Sequence, residues 1–439
     1  MMSIFKRKKK KRVCVVGLDG VPISLIQQLS SEGIMPATAK ILESGYLHQM
    51  TVSLPEISAV SWTNFMTGTN SGTHGIFGFV DLVSNSYNLR FPNFGDVKSP
   101  TIWDRLAEKD KKSIVINQPF TYPAQKINGV LISGFVAIYL EKAIYPLSIK
   151  EKLKKFGYQI DIDTAKSRED HNFLWQELEK TLASRQKAVD YFWEKEDWDY
   201  FQVVITGTDR LHHFLWPALK EKNHLYHNHF LDYYHKIDQF IEKIYYFFNK
   251  ISGWEEPGEG FFILSDHGFT QINQEVYLNA WLEKEGYLKF RASSPETIAD
   301  ISSESVAFAL DPNRIYLNLK GKFPNGWIKE SESETIKKEL REKLSQIEYN
   351  GQKIVRRIFD KEEIYSGPYL NFGPDLVVLS FPGFDMKGSV RKKEIFGRTN
   401  LEGMHTWDDA FFFSPIKVEK ELNITDLAEI IMKSFSFSN

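Results

Sequence analysis

The chain has 439 residues, with 55 basic against 57 acidic side chains and a formal charge of −2. That length suits about three domains of roughly 150 residues, or one large α/β core with an insert. Its 33 Phe, 19 Tyr and 10 Trp exclude a wholly disordered chain, its lone Cys14 excludes a disulfide scaffold, and its balanced charge argues against a dedicated nucleic-acid binder.

Lys6 to Arg12 is a run of seven basic residues. The apolar stretch behind it stops at Asp19, too soon for a secretory signal. No window approaches the roughly 18 apolar residues of a membrane helix. The expectation is a cytoplasmic protein with a basic tail over residues 1–11. That tail is either solvated or touches an anionic membrane surface. No nucleic-acid partner is expected, and the oligomeric state is not legible in the sequence.

Val13 to Val16 reads as a buried strand that turns at Gly17-Leu18-Asp19-Gly20. Pro22 to Ser31 carries Ile23, Ile26 and Leu29 at helical spacing, with Gly33 as a stop. A short helix over Pro36 to Leu42 follows. Another is expected from Thr63 to Gly68, behind a Pro/Ser loop. The pattern then alternates: a long helix over Phe173 to Glu194, a strand over Tyr200 to Ile205, a helix over Tyr226 to Phe248, a strand over Gly260 to Leu264. Strands alternating with helices predict a mostly parallel sheet covered on both faces. From Gly286 to Phe396 the rhythm breaks. An isolated strand (Arg314 to Leu319), a charged helix (Glu332 to Leu344) and strands at Ile354 to Ile358 and Leu376 to Phe381 suggest an inserted subdomain. The expected organisation is a tail over 1–11, a core over 12–285, a cap over 286–396 and a returning core segment over 397–439.

Ligands of open α/β sheets bind beyond the carboxyl ends of strands, and three polar clusters fall there. Asp19 follows the first strand. Asp209 and His213, four apart and so on one face of a helical turn, follow Tyr200–Ile205. Asp266 and His267 follow the strand ending at Leu264. His405 lies in a Gly-Met-His-Thr segment near the C-terminus. Carboxylates with imidazoles suit zinc or manganese. His212 would point away from His213 and reads as a packing or surface residue. His224, His227 and His229 read as a solvated helix start. A hydroxyl nucleophile needs a base or a metal to activate it. Ser58, Ser61 and Thr63 all qualify by type, and each also suits a helix cap.

The ordered set of motifs resembles the alkaline phosphatase superfamily, within it the type I phosphodiesterase/nucleotide pyrophosphatase-like branch. The matching pieces are Gly17-Leu18-Asp19-Gly20, Ser58 with Thr67-Gly68 nine residues on, His74-Gly75-Ile76-Phe77, Asp209 to Trp216, Ser265-Asp266-His267-Gly268 and Gly403-Met404-His405. The resemblance implies a three-layer α/β/α core with a mostly parallel sheet and a smaller inserted subdomain. It implies two divalent ions per chain, Zn2+ or Mn2+. Asp19, Asp266, His267 and the Ser58 hydroxyl would hold one ion; Asp209, His213 and His405 would hold the other. Ser58 would be the nucleophile and pass through a phosphoseryl intermediate. Ser61 is the position expected to bind a phosphoryl oxygen. His74 matches a motif without being a ligand.

The implied activity is hydrolysis of a small phosphate ester, leaning towards diesters or pyrophosphates. A phosphomonoesterase, a metal-dependent phosphomutase and an inactive binding protein are the alternatives. A sulfatase is disfavoured, because Ser58-Ala59-Val60-Ser61 lacks the Pro, and Trp62 replaces the Arg, of that motif. A monoester dianion calls for an extra cation, for which Arg210 and Arg314 are the candidates; both also suit structural roles. Specificity is expected in the cap and in the segment from Phe79 to Pro146. Aromatics there, such as Tyr87 and Phe91 in the segment and Tyr316, Phe323 and Trp327 in the cap, either stack on substrate or pack.

Overall fold

The computed structural model describes residues 10–435. Lys6 to Lys9, most of the basic run, lie outside the described residues. The end of that run docks on the protein: Lys10 pairs with Asp197 at 3.0 Å, and Arg12 donates to the carbonyls of Trp198 and Ile251. Among the described residues no helix is long and apolar enough to cross a membrane.

A nine-stranded sheet runs in the order Leu422–Asn423, Tyr46–Thr51, Ala410–Ser414, Phe261–Leu264, Val13–Leu18, Tyr200–Ile205, Ser113–Gln118, Gly129–Ser133, Ile144–Tyr145. Five of its eight neighbouring pairs are parallel, and the antiparallel ones lie towards its edges. The alternation of side chains along each strand sorts the core into two layers. Cys14, Val16 and Leu18 side with Phe201, Val203 and Ile205. They pack under the helices Ile23–Ser31, His171–Lys195, Gly207–Lys220 and His227–Ile251. Val13 and Val15 side with Tyr200, Val204 and Phe262, under the helices Ser58–Thr67, Ile102–Ala107 and Leu427–Lys433. Strands buried on both faces explain the unbroken apolar runs in the sequence. This is the mostly parallel α/β/α core.

A second apolar cluster gathers Val276, Trp281, Phe308, Tyr316, Leu340 and Val378. Its frame is an antiparallel sheet in the order Ala307–Leu310, Arg314–Leu317, Leu376–Ser380, Val355–Asp360, with the helix Glu330–Leu344 packed on it. Two expectations change here. The strand at Arg314 is not isolated; it is an inner strand of this sheet. The helix Leu278–Lys284, assigned by sequence to the core, contributes Leu278, Trp281 and Leu282 to the second cluster. Its apolar spacing is the same whichever core it serves, so the sequence pattern around 286 does not reveal the change of partner.

The third difference matters for the site. The helix expected from Thr63 begins at Ser58, and all ten of its residues are buried. A helix buried all round shows no amphipathic edge, which hides its start in the sequence.

Candidate active site

The three central strands, Val13–Leu18, Tyr200–Ile205 and Phe261–Leu264, end side by side. Asp19, Asp209, Asp266 and His267 sit just beyond them and are 0–1% exposed. The two-stranded ribbon of Gly268–Gln271 with Gly403–Thr406 folds His405 back over the cluster. Asp209 and His213 lie on successive turns of the helix Gly207–Lys220. Ser58 opens its own helix at the same edge.

The distances are short. Ser58 Oγ lies 3.0 Å from His267 Nε2 and 3.4 Å from Asp19 Oδ1. His267 Nε2 is 3.3 Å from Asp266 Oδ2 and 3.6 Å from Asp19 Oδ1. Asp209 Oδ1 is 3.3 Å from His405 Nε2, 3.4 Å from His213 Nε2 and 4.0 Å from His267 Nε2. The structure thus brings Asp19, Ser58, Asp209, His213, Asp266, His267 and His405 into one cluster. Two subsets have ligand atoms mutually within 4.8 Å: Asp209, His213 and His405, and Asp19, Asp209 and His267.

Each imidazole is oriented by its other nitrogen. Nδ1 of His213 lies 2.9 Å from the Gly403 carbonyl, Nδ1 of His405 lies 2.8 Å from the Glu56 carbonyl, and Nδ1 of His267 lies 3.0 Å from the Gly268 carbonyl. A carbonyl only accepts, so Nδ1 carries the proton and Nε2 is left with a lone pair. All three Nε2 lone pairs point into the carboxylate cluster; those of His213 and His405 face each other at 3.0 Å. Two lone pairs opposed at that distance repel unless a cation lies between them. Backbone carbonyls behind ligand imidazoles are the usual way of fixing a metal-binding tautomer.

The carboxylates carry the same message. Burial and the charges of Asp266 and Asp209 push Asp19 well above its ordinary value. Burial pushes Asp266 up to about 8. Burial also works against ionised Asp209, while the Arg210 guanidinium 2.9 Å away favours its charged form. Buried Asp209 Oδ1 and Asp266 Oδ2 receive no hydrogen bond. Three carboxylates so close, with two orphaned oxygens and three lone-pair imidazoles, fit divalent cations in a nitrogen and oxygen donor set.

Two glycines make the cluster possible. Gly17 stands where a Cβ would meet the Trp62 ring at 2.5 Å. The indole therefore reaches past the strand, and its Nε1 donates to Asp19 Oδ2 at 3.1 Å. Gly20 has φ +67° and donates its N–H to Asp266 Oδ1 at 3.0 Å. A Cβ there would lie 3.1 Å from the His267 ring. Trp62 was invisible as a site residue in sequence, because an aromatic in an apolar helix reads as core. We predict that Trp62→Phe, which keeps the ring's bulk and removes the donor, weakens metal affinity by about 10-fold or more. Titration of metal-stripped protein with Zn2+ checks this.

The remaining expected residues fall elsewhere. Ser61 Oγ shares a 2.6 Å hydrogen bond with Ser53 Oγ and is fully buried. Arg210 does not reach out for substrate. It forks onto Asp161 at 2.7 Å and onto Asp209 at 2.9 Å, and stacks over Phe135. Arg314 is 1% exposed and is spent on Asp81 at 2.8 Å and on the Val80 and Asp311 carbonyls. His212 is a packing residue, bonded to the Gly20 carbonyl and Tyr234. His74 binds Asn64, and burial lowers its pKa to about 3. Tyr87 stacks on Phe323 at 5.4 Å, tying the segment from Phe79 to Pro146 to the second cluster. Phe91 and Trp327 stay exposed.

Residues 13–408 match the family described as type I phosphodiesterase / nucleotide pyrophosphatase. No curated protein sequence matches the chain. Among solved structures, a phosphonoacetate hydrolase from Sinorhizobium meliloti 1021 in complex with phosphonoformate is 14% identical, with 98% of this chain and 97% of that one covered and a TM-score of 0.64. Wild-type alkaline phosphatase PafA is 13% identical over 97% and 96%, with a TM-score of 0.57. Inactive murine ectonucleotide pyrophosphatase / phosphodiesterase 5 in complex with AMP is 13% identical over 98% and 96%, with a TM-score of 0.56. At these identities the structural likeness carries the fold.

Proposed function

The chain belongs to the type I phosphodiesterase / nucleotide pyrophosphatase family, and from that premise we propose a two-cation phosphohydrolase that uses Ser58 as its nucleophile and favours diesters or pyrophosphates. The observation that carries this is Ser58 Oγ, 3.0 Å from His267 Nε2 and 3.4 Å from Asp19 Oδ1, inside a cluster of six further ligand side chains. Asp19, Asp266, His267 and Ser58 would hold one divalent ion, Zn2+ or Mn2+, and Asp209, His213 and His405 the other. Ions bound there would lower the pKa of the Ser58 hydroxyl and neutralise charge on the phosphoryl oxygens.

Ser58 Oγ attacks phosphorus in line as the P–O bond to the leaving group breaks, giving a phosphoryl-serine ester. No side chain caps the helix at Ser58. Its first N–H groups and the positive end of its dipole are therefore available to the anionic phosphoryl group. Water then breaks the Ser58–phosphorus ester from the side the leaving group vacated, restoring the hydroxyl. Arg210 holds Asp209 in place from behind, and Trp62 does the same for Asp19.

The preference for diesters follows from the two arginines. A monoester dianion carries one charge more than a diester, and Arg210 and Arg314 are both committed to carboxylates. Metal-stripped protein refilled with Zn2+ or Mn2+ is expected to cleave bis-p-nitrophenyl phosphate with kcat/KM about 10-fold or more above p-nitrophenyl phosphate. The reverse order would make the protein a phosphomonoesterase, the second reading. Absence of metal-dependent turnover of both esters overturns the hydrolase reading.

A further inference from the structure

A cavity of about 90 Å3 opens beside His213 and His405. It is lined by Glu56, on the loop ahead of Ser58, and by Asn313, Ser380, Asp385 and Lys387 from the second packing unit. These groups are enclosed: Glu56 is 7%, Asn313 2% and Asp385 8% exposed. Glu56 is also tied to the ligand cluster, since its backbone carbonyl lies 2.8 Å from His405 Nδ1.

The polar groups in this cavity are incompletely matched. Asn313 Nδ2 donates to Glu56 Oε2 at 3.2 Å, which turns its Oδ1 the other way. That Oδ1 is buried and receives no hydrogen bond. Lys387 is already bound to Asp385 at 2.6 Å. Among the described residues no cation forms an ion pair with Glu56. Asn313 Oδ1 is thus a buried acceptor without a donor, and buried acceptors left unmatched are costly. A ligand that brings donors removes that cost.

Position says which part of a substrate comes here. Ser58 abuts Asp19 and His267. In-line displacement puts the departing oxygen on the opposite side of phosphorus from the nucleophile. Ser58 Oγ makes no hydrogen bond to His213 or His405, the pair that lines the cavity, and this assigns the pair and the cavity to the departing side.

We infer that this cavity receives the leaving alcohol and selects a short one carrying a second hydrogen-bond donor, a hydroxyl or an ammonium. The inference rests on the hydrolase reading above and names its substrate class. The volume is well below the roughly 300–1,000 Å3 of sites that enclose drug-sized ligands, so the alcohol is short. Asn313 and Glu56 are the specificity residues, with Asp385 setting the charge of the wall.

The test compares three methyl diesters of phosphate, whose second alcohol is propanol, glycerol or 2-aminoethanol, on the metal-loaded full chain. Bis-p-nitrophenyl phosphate is run alongside, because its activated leaving group needs no help from a pocket. The expected result is kcat/KM at least about 10-fold higher for the glycerol or aminoethanol ester than for the propyl ester. Asn313→Leu is expected to bring that ratio to within about threefold of one. Asp385→Asn, which leaves Lys387 uncompensated, is expected to lower the aminoethanol-to-propyl ratio specifically. Ratios of two substrates on one preparation are independent of the fraction folded, so partial misfolding of a variant does not obscure them. Turnover of the nitrophenyl diester with equal rates on all three methyl esters, or with the propyl ester preferred, overturns the inference and leaves the hydrolase reading standing. A wild-type ratio that survives Asn313→Leu overturns the role of Asn313 and with it the cavity assignment. No metal-dependent turnover of the nitrophenyl diester overturns both.

Discussion

Ser58→Ala is expected to lower kcat on a phosphodiester by about 10^4-fold or more, the scale on which losing a covalent nucleophile is felt. The fold should survive. The substitution removes a hydroxyl whose hydrogen bond with His267 is worth about 1 kcal/mol, which moves the thermal midpoint by a few degrees. The neighbouring hydroxyls cannot take over from where they lie. Ser61 is engaged with Ser53, and Thr63 donates to the Ala59 carbonyl at 2.6 Å, one turn back along its helix. Steady-state rates and a melting curve on the same preparation give both numbers. Rapid acid quench of the wild type, followed by peptide mass analysis, is expected to find the added phosphoryl mass on the peptide containing Ser58. Wild-type turnover by Ser58→Ala would show that another group attacks phosphorus.

The second large effect concerns Asp209. Its Oδ1 lies within 4.0 Å of three imidazole nitrogens, and it belongs to both candidate ligand subsets. Asp209→Ala is expected to leave one bound cation per chain in place of two and to lower kcat/KM by about 10^3-fold, the several kcal/mol that metal stabilisation of transition-state charge supplies. Asp266→Ala should empty the other position, because Asp266 touches His267 and the Gly20 N–H and forms no ion pair with His405. Elemental analysis of dialysed protein distinguishes the two losses. Two cations bound at wild-type affinity by Asp209→Ala would remove Asp209 from the ligand set. Arg210 keeps its fork onto Asp161 in that variant, so the helix carrying His213 remains anchored.

Much of this site is local, and local features are legible in a linear sequence. A β-branched run that stops at Gly-Leu-Asp-Gly announces a strand with a carboxylate at its end. Asp209 and His213, four apart, announce one helical face. Asp266, His267 and Gly268 announce a strand end with metal-binding donors. Residue type, period and order determined the α/β core and the polar clusters beyond its strands, because each depends on interactions within a few residues.

The tertiary structure decided what depends on distant partners. Only the fold shows that Arg210 and Arg314 are spent on Asp161, Asp209 and Asp81, since a basic side chain in a sequence carries no record of its counter-ion. Only the fold singles out Ser58 over Ser61 and Thr63 by contact, because that choice rests on where a buried helix starts against strands more than 200 residues away in the chain. Trp62 becomes a site residue through the space left by Gly17, and the wall of Asn313, Asp385 and Lys387 through packing of the second unit over the first. Hydrogen bonds and ion pairs between remote segments follow from chain topology, and topology is set by burial of the whole core rather than by any short stretch of sequence.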